Sequence, residues 1–310
     1  MGLIACLFPG QGSQAVGMGR DLVEKYPEAR ACFEEADRAL GFALSRLCFE
    51  GPEDLLKLTE NTQPAILATS AAAYRVLHAR DVRPAFVAGH SLGEYSALYA
   101  AEAIELGDAV RIVRQRGRYM QEAVPVGKGA MAALLGISPE QAEALCLEAS
   151  MGEVLTPANL NSPTQIVIAG TRPAVERAVA LAPQRGAKRA LPLPVSAPFH
   201  CALMKPAQER LAPDLSALSW RNPAIPLINN ADAELLTQSR QITDSLVRQV
   251  CAPVRWSGSI RKLIELGVDT FIEIGPGRVL CGLVRQIDRT VRTTNVEDEK
   301  SLAETIKLLS

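Results

Sequence analysis

Short apolar runs alternate along the chain with longer stretches of helical period, and their order predicts an α/β fold. Residues 3–8 (LIACLF) read as a strand closed by the tight turn PGQG. Residues 63–80 (QPAILATSAAAYRVLHAR) have helical character, with Pro64 assigned to the first turn, where a missing N–H costs least. The apolar run AFVAG follows, then a serine and the alanine-rich SLGEYSALYAAEA, so that this part of the chain reads as strand, sharp turn, helix.

The middle third has a different rhythm. GAMAALLGI (129–137), SPEQAEALCLEAS (138–150), EVLTPANLN (153–161), QIVIAG (165–170), TRPAVERAVALA (171–182) and AKRALPLPV (187–195) read as strand, helix, strand, strand, helix, strand, with Ser138 and Thr171 as helix caps. That order is the split βαβ pattern of a ferredoxin-like unit. It predicts an inserted small domain over 128–196, flanked by PVGKG and LPVSAPFH, inside a larger domain made of 1–127 and 197–310.

Composition narrows the function classes. With 33 Lys+Arg against 34 Asp+Glu, the chain carries no basic footprint for nucleic acid or a membrane surface. Its 7 cysteines are odd in number and none are spaced C-x-x-C, which argues against a disulfide framework or a zinc knuckle and for a reducing compartment. The N-terminus has no charged region before its apolar run, and no stretch approaches a membrane span, so the expected location is cytoplasmic.

Gly89-His90-Ser91-Leu92-Gly93 fits G-x-S-x-G, the nucleophile elbow, in which flanking glycines permit a strained strand-to-helix turn. The alternative is that Ser91 only caps the helix; the strand before it and the helix after it favour the nucleophile. A serine nucleophile needs a base, and the chain has 3 histidines. His78 lies within the predicted helix 63–80, and His90 is adjacent to Ser91 and points to the opposite face. His200, where the chain leaves the insertion, remains.

A hydrolase triad would place an acid between the serine and the histidine, yet the one aspartate in that interval is Asp108. Glutamates occur there, from Glu94 to Glu176, but most fall in the insertion or on amphipathic helices. A Ser/His dyad steered by a neutral acceptor such as a backbone carbonyl fits better. The oxyanion formed on attack calls for donors from the Leu92 N–H and from FPGQGSQ, where Gly10 and Gly12 let the backbone at Gln11 approach a ligand.

The helix at 105–124 suggests what the serine carries. Taking Val113 as zero at about 100° per residue, Leu106, Ala109, Val110, Gly117 and Met120 fall within about 60° of it, whereas Arg111, Arg114 and Arg118 fall about 100° or more away. Arg116 lies at about −60°, beside the apolar stripe. An inward guanidinium wants an anionic partner, either a structural carboxylate or, beside a serine nucleophile, the free carboxylate of an acyl group.

FPGQGSQ, TQPAI (62–66), GHSLGE (89–94), RGRYMQEA (116–123), ANLNSP (158–163), APFHCALM (197–204) and EIGPGRVL (273–280) together resemble the malonyl-CoA:acyl carrier protein transacylase family, in order and over almost the whole chain. The resemblance implies an α/β-hydrolase-like large domain with a mostly parallel sheet and an inserted ferredoxin-like domain. It implies a ping-pong exchange in which Ser91 takes malonyl from CoA and gives it to a phosphopantetheine thiol. Residue by residue, it implies Ser91 as nucleophile, His200 as base, Arg116 as carboxylate clamp, Gln11 and Leu92 as oxyanion hole, Gln63 and Asn161 in the substrate site, and Gln249 as the residue whose carbonyl orients the histidine. Phe199 departs from the serine found before the histidine in many stand-alone fatty-acid enzymes. It resembles malonyl-selective polyketide acyltransferases, so malonyl is expected over methylmalonyl.

The expected partners are malonyl-CoA and an acidic holo-acyl carrier protein, with Lys188, Arg189, Arg278 and Arg285 as candidate contacts or simply solvated charge. No cofactor or metal is expected, since CoA and phosphopantetheine are substrates, and a monomer is expected. Both fatty-acid and polyketide synthesis remain open as the pathway. An acyl-thioester hydrolase of the same fold would share every catalytic residue, and a binding protein of this fold would form no acyl-enzyme.

Overall fold

The computed structural model describes residues 2–195 and 197–309. Met1, Ser310 and Ser196, the last position of the expected insertion, lie outside the described residues. In chain order the elements are β1 (Leu3–Phe8), α1 (Arg20–Lys25), α2 (Pro27–Leu40), α3 (Leu44–Glu50), α4 (Glu53–Leu56), α5 (Thr59–His78), β2 (Phe86–Gly89), α6 (Gly93–Ala100), α7 (Leu106–Glu122), β3 (Gly129–Leu135), α8 (Pro139–Ser150), β4 (Leu155–Ser162), β5 (Gln165–Thr171), α9 (Arg172–Leu181), β6 (Arg189–Pro192), α10 (Lys205–Ser216), β7 (Leu227–Ile228), β8 (Leu235–Leu236), α11 (Ile242–Gln249), α12 (Trp256–Glu265), β9 (Val268–Ile274), α13 (Val279–Ile287), β10 (Arg292–Val296) and α14 (Glu299–Leu309).

Six strands form one sheet in the order β10-β9-β1-β2-β7-β8, parallel throughout except for the β7–β8 pair. Alternation along β1 explains why its sequence is apolar without a break. Cys6 and Phe8 face the core built by α2, α5, α6 and α7, while Ala5 and Leu7 face Trp256 and Ile260 of α12 and Leu283 of α13. A sheet covered on both faces has no polar side to show.

The second sheet, β4-β5-β3-β6, is antiparallel and carries the expected strand-helix-strand-strand-helix-strand order. Ala132, Leu134, Ile166 and Ile168 pack under Leu145 of α8 and Val175 of α9. Met131, Ala133, Val167 and Ala169 point the other way and join the core of the large sheet. The joint is also stitched at its edge: Leu160 N–H donates to Val254 O at 2.9 Å and Val254 N–H to Ala158 O at 2.9 Å. β6 is shorter than the expected 187–195 because Pro192 and Pro194 have no N–H to continue a ladder.

Two local expectations are corrected. α5 begins one turn earlier than predicted, at Thr59, so Pro64 sits inside the helix and not in its first turn. The extra turn is anchored from outside, by Asn61 Nδ2 donating to Leu55 O at 3.0 Å and Thr62 Oγ1 to Leu56 O. Ser138 caps α8 with a reciprocal Gln141 bond as expected, whereas Thr171 occupies the N-cap position of α9 but gives its hydroxyl to Glu153. All 7 cysteines are free, and all but the half-buried Cys251 are buried. Among the described residues no helix is long and apolar enough to cross a membrane.

Candidate active site

β2 delivers Ser91 to a turn that tolerates no side chain on either flank. A Cβ at Gly89 would lie 1.9 Å from Gly93 O, and one at Gly93 would lie 2.0 Å from Phe8 O, so strand and helix can approach only with glycine at both positions. Ser91 itself takes φ 53°, a left-handed conformation costing about 1–3 kcal/mol that survives only when its surroundings enforce it. The enforcement is visible. Ser91 N–H donates to Asn230 Oδ1 at 2.6 Å, and Ser91 O accepts from Glu94 N–H at 3.1 Å and Gln249 Nε2 at 2.9 Å.

The hydroxyl meets a base. Ser91 Oγ is 2.7 Å from His200 Nε2, and His200 Nδ1 is 2.9 Å from Gln249 O. A carbonyl can only accept, so Nδ1 carries the hydrogen and Nε2 presents its lone pair to the serine. Burial, and next the positive charge of Arg116, hold His200 down to about 3, which keeps the imidazole neutral and able to take a proton. His90, the rejected candidate, bonds Asn161 Oδ1 at 2.8 Å and packs against the ring of Trp256, and burial lowers its pKa as well.

Arg116 points inward as its helical phase predicts, with 1% of it exposed; Arg111 and Arg118 reach solvent, and Arg114 lies half-buried on the ring of Phe42. Its guanidinium donates from Nη1 to Gln63 Oε1 at 2.9 Å and from Nη2 to Ser91 Oγ at 3.1 Å and Gln249 Oε1 at 3.0 Å. Among the described residues no carboxylate lies within ion-pair distance of it. A buried cation hydrogen-bonded to amides and a hydroxyl and stacked over the Tyr95 ring, with no carboxylate paired to it, suits an anion beside the nucleophile.

A cavity of about 110 Å³ opens at this point, lined among others by Gln11, Gln63, Ser91, Leu92, Arg116, Phe199 and His200 from the large-sheet side and by Met131, Asn159 and Leu193 from the small-sheet side. Two roomier clefts, of about 790 Å³ beside Tyr74 and His78 and about 590 Å³ beside Lys205 and Arg255, contain neither Ser91 nor His200. Gln11 has its side chain 3.4 Å from Thr59 Oγ1, and Leu92 stands at the N-cap of α6. Asn161 turns to His90, and its neighbour Asn159 lines the cavity.

Sequence reasoning missed Asn230 and passed over Glu94. Glu94 is fully buried and its Oε2 accepts from Asn230 N–H at 2.9 Å and Gln249 Nε2 at 2.8 Å; burial pushes its carboxyl up to about 7. Asn230 Nδ2 also donates to Gly89 O at 2.7 Å. Asn230 meets Ser91 across 139 positions, a contact with no local signature; Glu94 stood inside the quoted GHSLGE, and an acid directly behind the elbow was the available signal.

Elbow, base and buried cation together define an acyl-transferring serine site, and the chain belongs to the acyl transferase domain family, whose model matches residues 6–307. Within it the chain is 48% identical over 305 residues to the malonyl CoA-acyl carrier protein transacylase of Escherichia coli, covering 98% of this chain and 99% of that protein. It is 49% identical over 310 residues to the Bacillus subtilis enzyme of the same name, covering 100% and 98%. An acyl carrier protein S-malonyltransferase from Vibrio cholerae superimposes with a TM-score of 0.95 at 48% identity, covering 97% of this chain and 99% of that one. A malonyl-transacylase solved with its type II polyketide synthase acyl-carrier protein gives 0.96 at 45% identity, covering 99% of each.

Proposed function

We propose that this protein transfers a malonyl group from malonyl-CoA to the phosphopantetheine thiol of an acyl carrier protein, through a malonyl ester of Ser91. The observation that carries the reading is the buried Arg116, which has no carboxylate within ion-pair distance among the described residues and sets Nη2 3.1 Å from Ser91 Oγ. In the first half-reaction His200 Nε2 takes the proton of Ser91 Oγ as the oxygen attacks the thioester carbonyl. The N–H groups of Leu92 and Gln11 hold the oxyanion, and its collapse expels the CoA thiolate, which takes the proton back from His200. In the second half, His200 takes the proton of the carrier's thiol as the sulfur attacks the serine ester, and collapse of the intermediate breaks the ester bond and returns that proton from His200 Nε2 to Ser91 Oγ.

Arg116 grips the malonyl carboxylate throughout, flanked by Gln63, while Gln249 O orients the base; Asn161, expected in the substrate site, is bonded to His90, and Asn159 stands in the cavity wall in its place. A carboxylate bound to Arg116 also offsets the charge that depresses His200, so an acyl group with a free carboxylate strengthens its own base. The side chain of Phe199, 8% exposed beside His200, leaves little room for a branch methyl. Exposed Lys188, Arg189, Arg278 and Arg285 are proposed contacts for an acidic carrier. The boundaries 1–127, 128–196 and 197–310 are proposed for the two domains, and the enzyme is proposed to act as a cytoplasmic monomer without a cofactor, supplying fatty-acid or polyketide synthesis.

Intact-protein mass after brief exposure to malonyl-CoA tests this. A one-malonyl gain that discharges onto a holo carrier is expected, with none for Ser91→Ala. Arg116→Ala should lower kcat/KM for malonyl-CoA on the order of 100- to 1000-fold. Loss of the adduct to water without a carrier would make the protein a hydrolase instead.

A further inference from the structure

The acid that a hydrolase triad would place on the histidine is present, but one layer further out. Glu94 follows Ser91 by three residues in the first turn of α6, with no part of it in contact with solvent. Both donors that face it, Asn230 N–H and Gln249 Nε2, converge on Oε2. Among the described residues Oε1 has no hydrogen-bond partner at all. The same two residues grip the nucleophile by its backbone, Asn230 Oδ1 taking Ser91 N–H and Gln249 Nε2 donating to Ser91 O.

Gln249 connects everything that reacts. Its side-chain oxygen accepts from Arg116 Nη2, its backbone oxygen holds His200 Nδ1, and its amide nitrogen is shared between Ser91 O and Glu94. A primary amide fits such a slot in two orientations. Turned the wrong way, Gln249 would set its NH₂ against the guanidinium and its oxygen against the Glu94 carboxyl, donor facing donor and acceptor facing acceptor. Arg116 as a donor on one side and Ser91 O and Glu94 Oε2 as acceptors on the other select the orientation observed, and Glu94 Oε2, at 2.8 Å, is the nearest of those acceptors.

We propose that Glu94 is a positioning residue for malonyl transfer: by accepting from Gln249 and Asn230 it holds Ser91 in its left-handed conformation and keeps the Gln249 oxygen turned toward Arg116. This rests on the malonyl-transfer reading above. Glu94 touches no substrate atom and acts only through its two partners.

Single-turnover acylation of the full-length protein by malonyl-CoA tests it, with wild type beside Glu94→Gln, Glu94→Met and Glu94→Asp, each checked for folding by circular dichroism and thermal unfolding. Methionine keeps the length and burial but offers no acceptor oxygen, and it should slow acylation on the order of 100-fold, the cost of an ångström-scale misplacement of reacting groups, with KM little changed. Glutamine still offers a carbonyl oxygen and should stay within a few-fold of wild type. Should the methionine variant fail to fold, aspartate, which withdraws the oxygen by one methylene, should show the same fall in rate at unchanged KM. Wild-type acylation by a folded methionine variant, equal losses for methionine and glutamine, or an effect confined to KM would each overturn the proposal. A wild-type protein that forms no malonyl adduct would instead sink the transfer reading beneath it.

Discussion

Phe199 is the side chain on which the proposed acyl choice turns. It lines the cavity directly before His200, with Met120 and Leu193 nearby, and it has no polar contact to make; its effect is the space it occupies. A single methyl group in an apolar pocket is worth about 1–3 kcal/mol of discrimination. Phe199→Ser should therefore raise the methylmalonyl-to-malonyl ratio of kcat/KM about 10- to 100-fold, read from competition between the two thioesters. An unchanged ratio would place the discrimination elsewhere in the cavity wall. Arg116 is proposed to set the complementary requirement: burial first and its charge second hold His200 down, and a carboxylate bound to the guanidinium would offset the second of these.

At the level of elements, the site depends on how closely α7 approaches α5. A Cβ on Gly117 would sit 2.6 Å from Thr59 O, so the two helices touch at the residue after Arg116, and this brings the guanidinium within 2.9 Å of Gln63 on α5. Gly117→Ala should force the helices apart, costing about 1–3 kcal/mol of stability and weakening malonyl-CoA binding together; denaturant unfolding and the KM for acylation check both. Much of this arrangement was legible beforehand because it is written in local periods. The G-x-S-x-G spacing gave the elbow, and a 100° step put Arg116 inside and Arg111 outside. What stayed hidden was set by contacts remote in sequence. The first turn of α5 is anchored to Leu55 and Leu56, Asn230 reaches Ser91 from the end of the neighbouring strand β7, 139 positions on, and Glu94 gains its meaning only from Gln249, 155 positions on. None of these leaves a periodicity to read.

For the whole molecule, burial of titratable groups ties stability to pH in two opposed ways. His200 stays neutral in the folded protein to about pH 3, whereas the unfolded chain takes up that proton near 6.5; between these values the unfolded state binds more protons and stability falls as the pH drops. Glu94, and Glu273, which accepts the N–H groups of Leu280 and Cys281 at the start of α13, are both pushed up to about 7 by burial. Their contribution is full below the unfolded value of 4.5 and is lost as the pH rises through 7. The trends offset one another from about pH 4.5 to 6.5, and removing one partner should expose the other. His200→Gln should gain stability relative to wild type as the pH is lowered across that window, as measured by denaturant unfolding at fixed pH values; parallel curves would mean that His200 is not held neutral. A further consequence concerns the protein's own sulfur atoms. A serine ester destined for a visiting thiol is exposed to capture by any resident one, and Cys201 adjoins His200 in the chain. Its sulfur donates to Pro198 O at 3.1 Å and burial pushes it up to about 11, which leaves about one thiolate in ten thousand at neutral pH. Cys32, Cys146 and Cys281 are pushed up to about 12 by the same cause, and Cys6 and Cys48 higher still. Burial thus silences these six internal competitors and raises the half-buried Cys251 as well, which favours a nucleophile that arrives from outside.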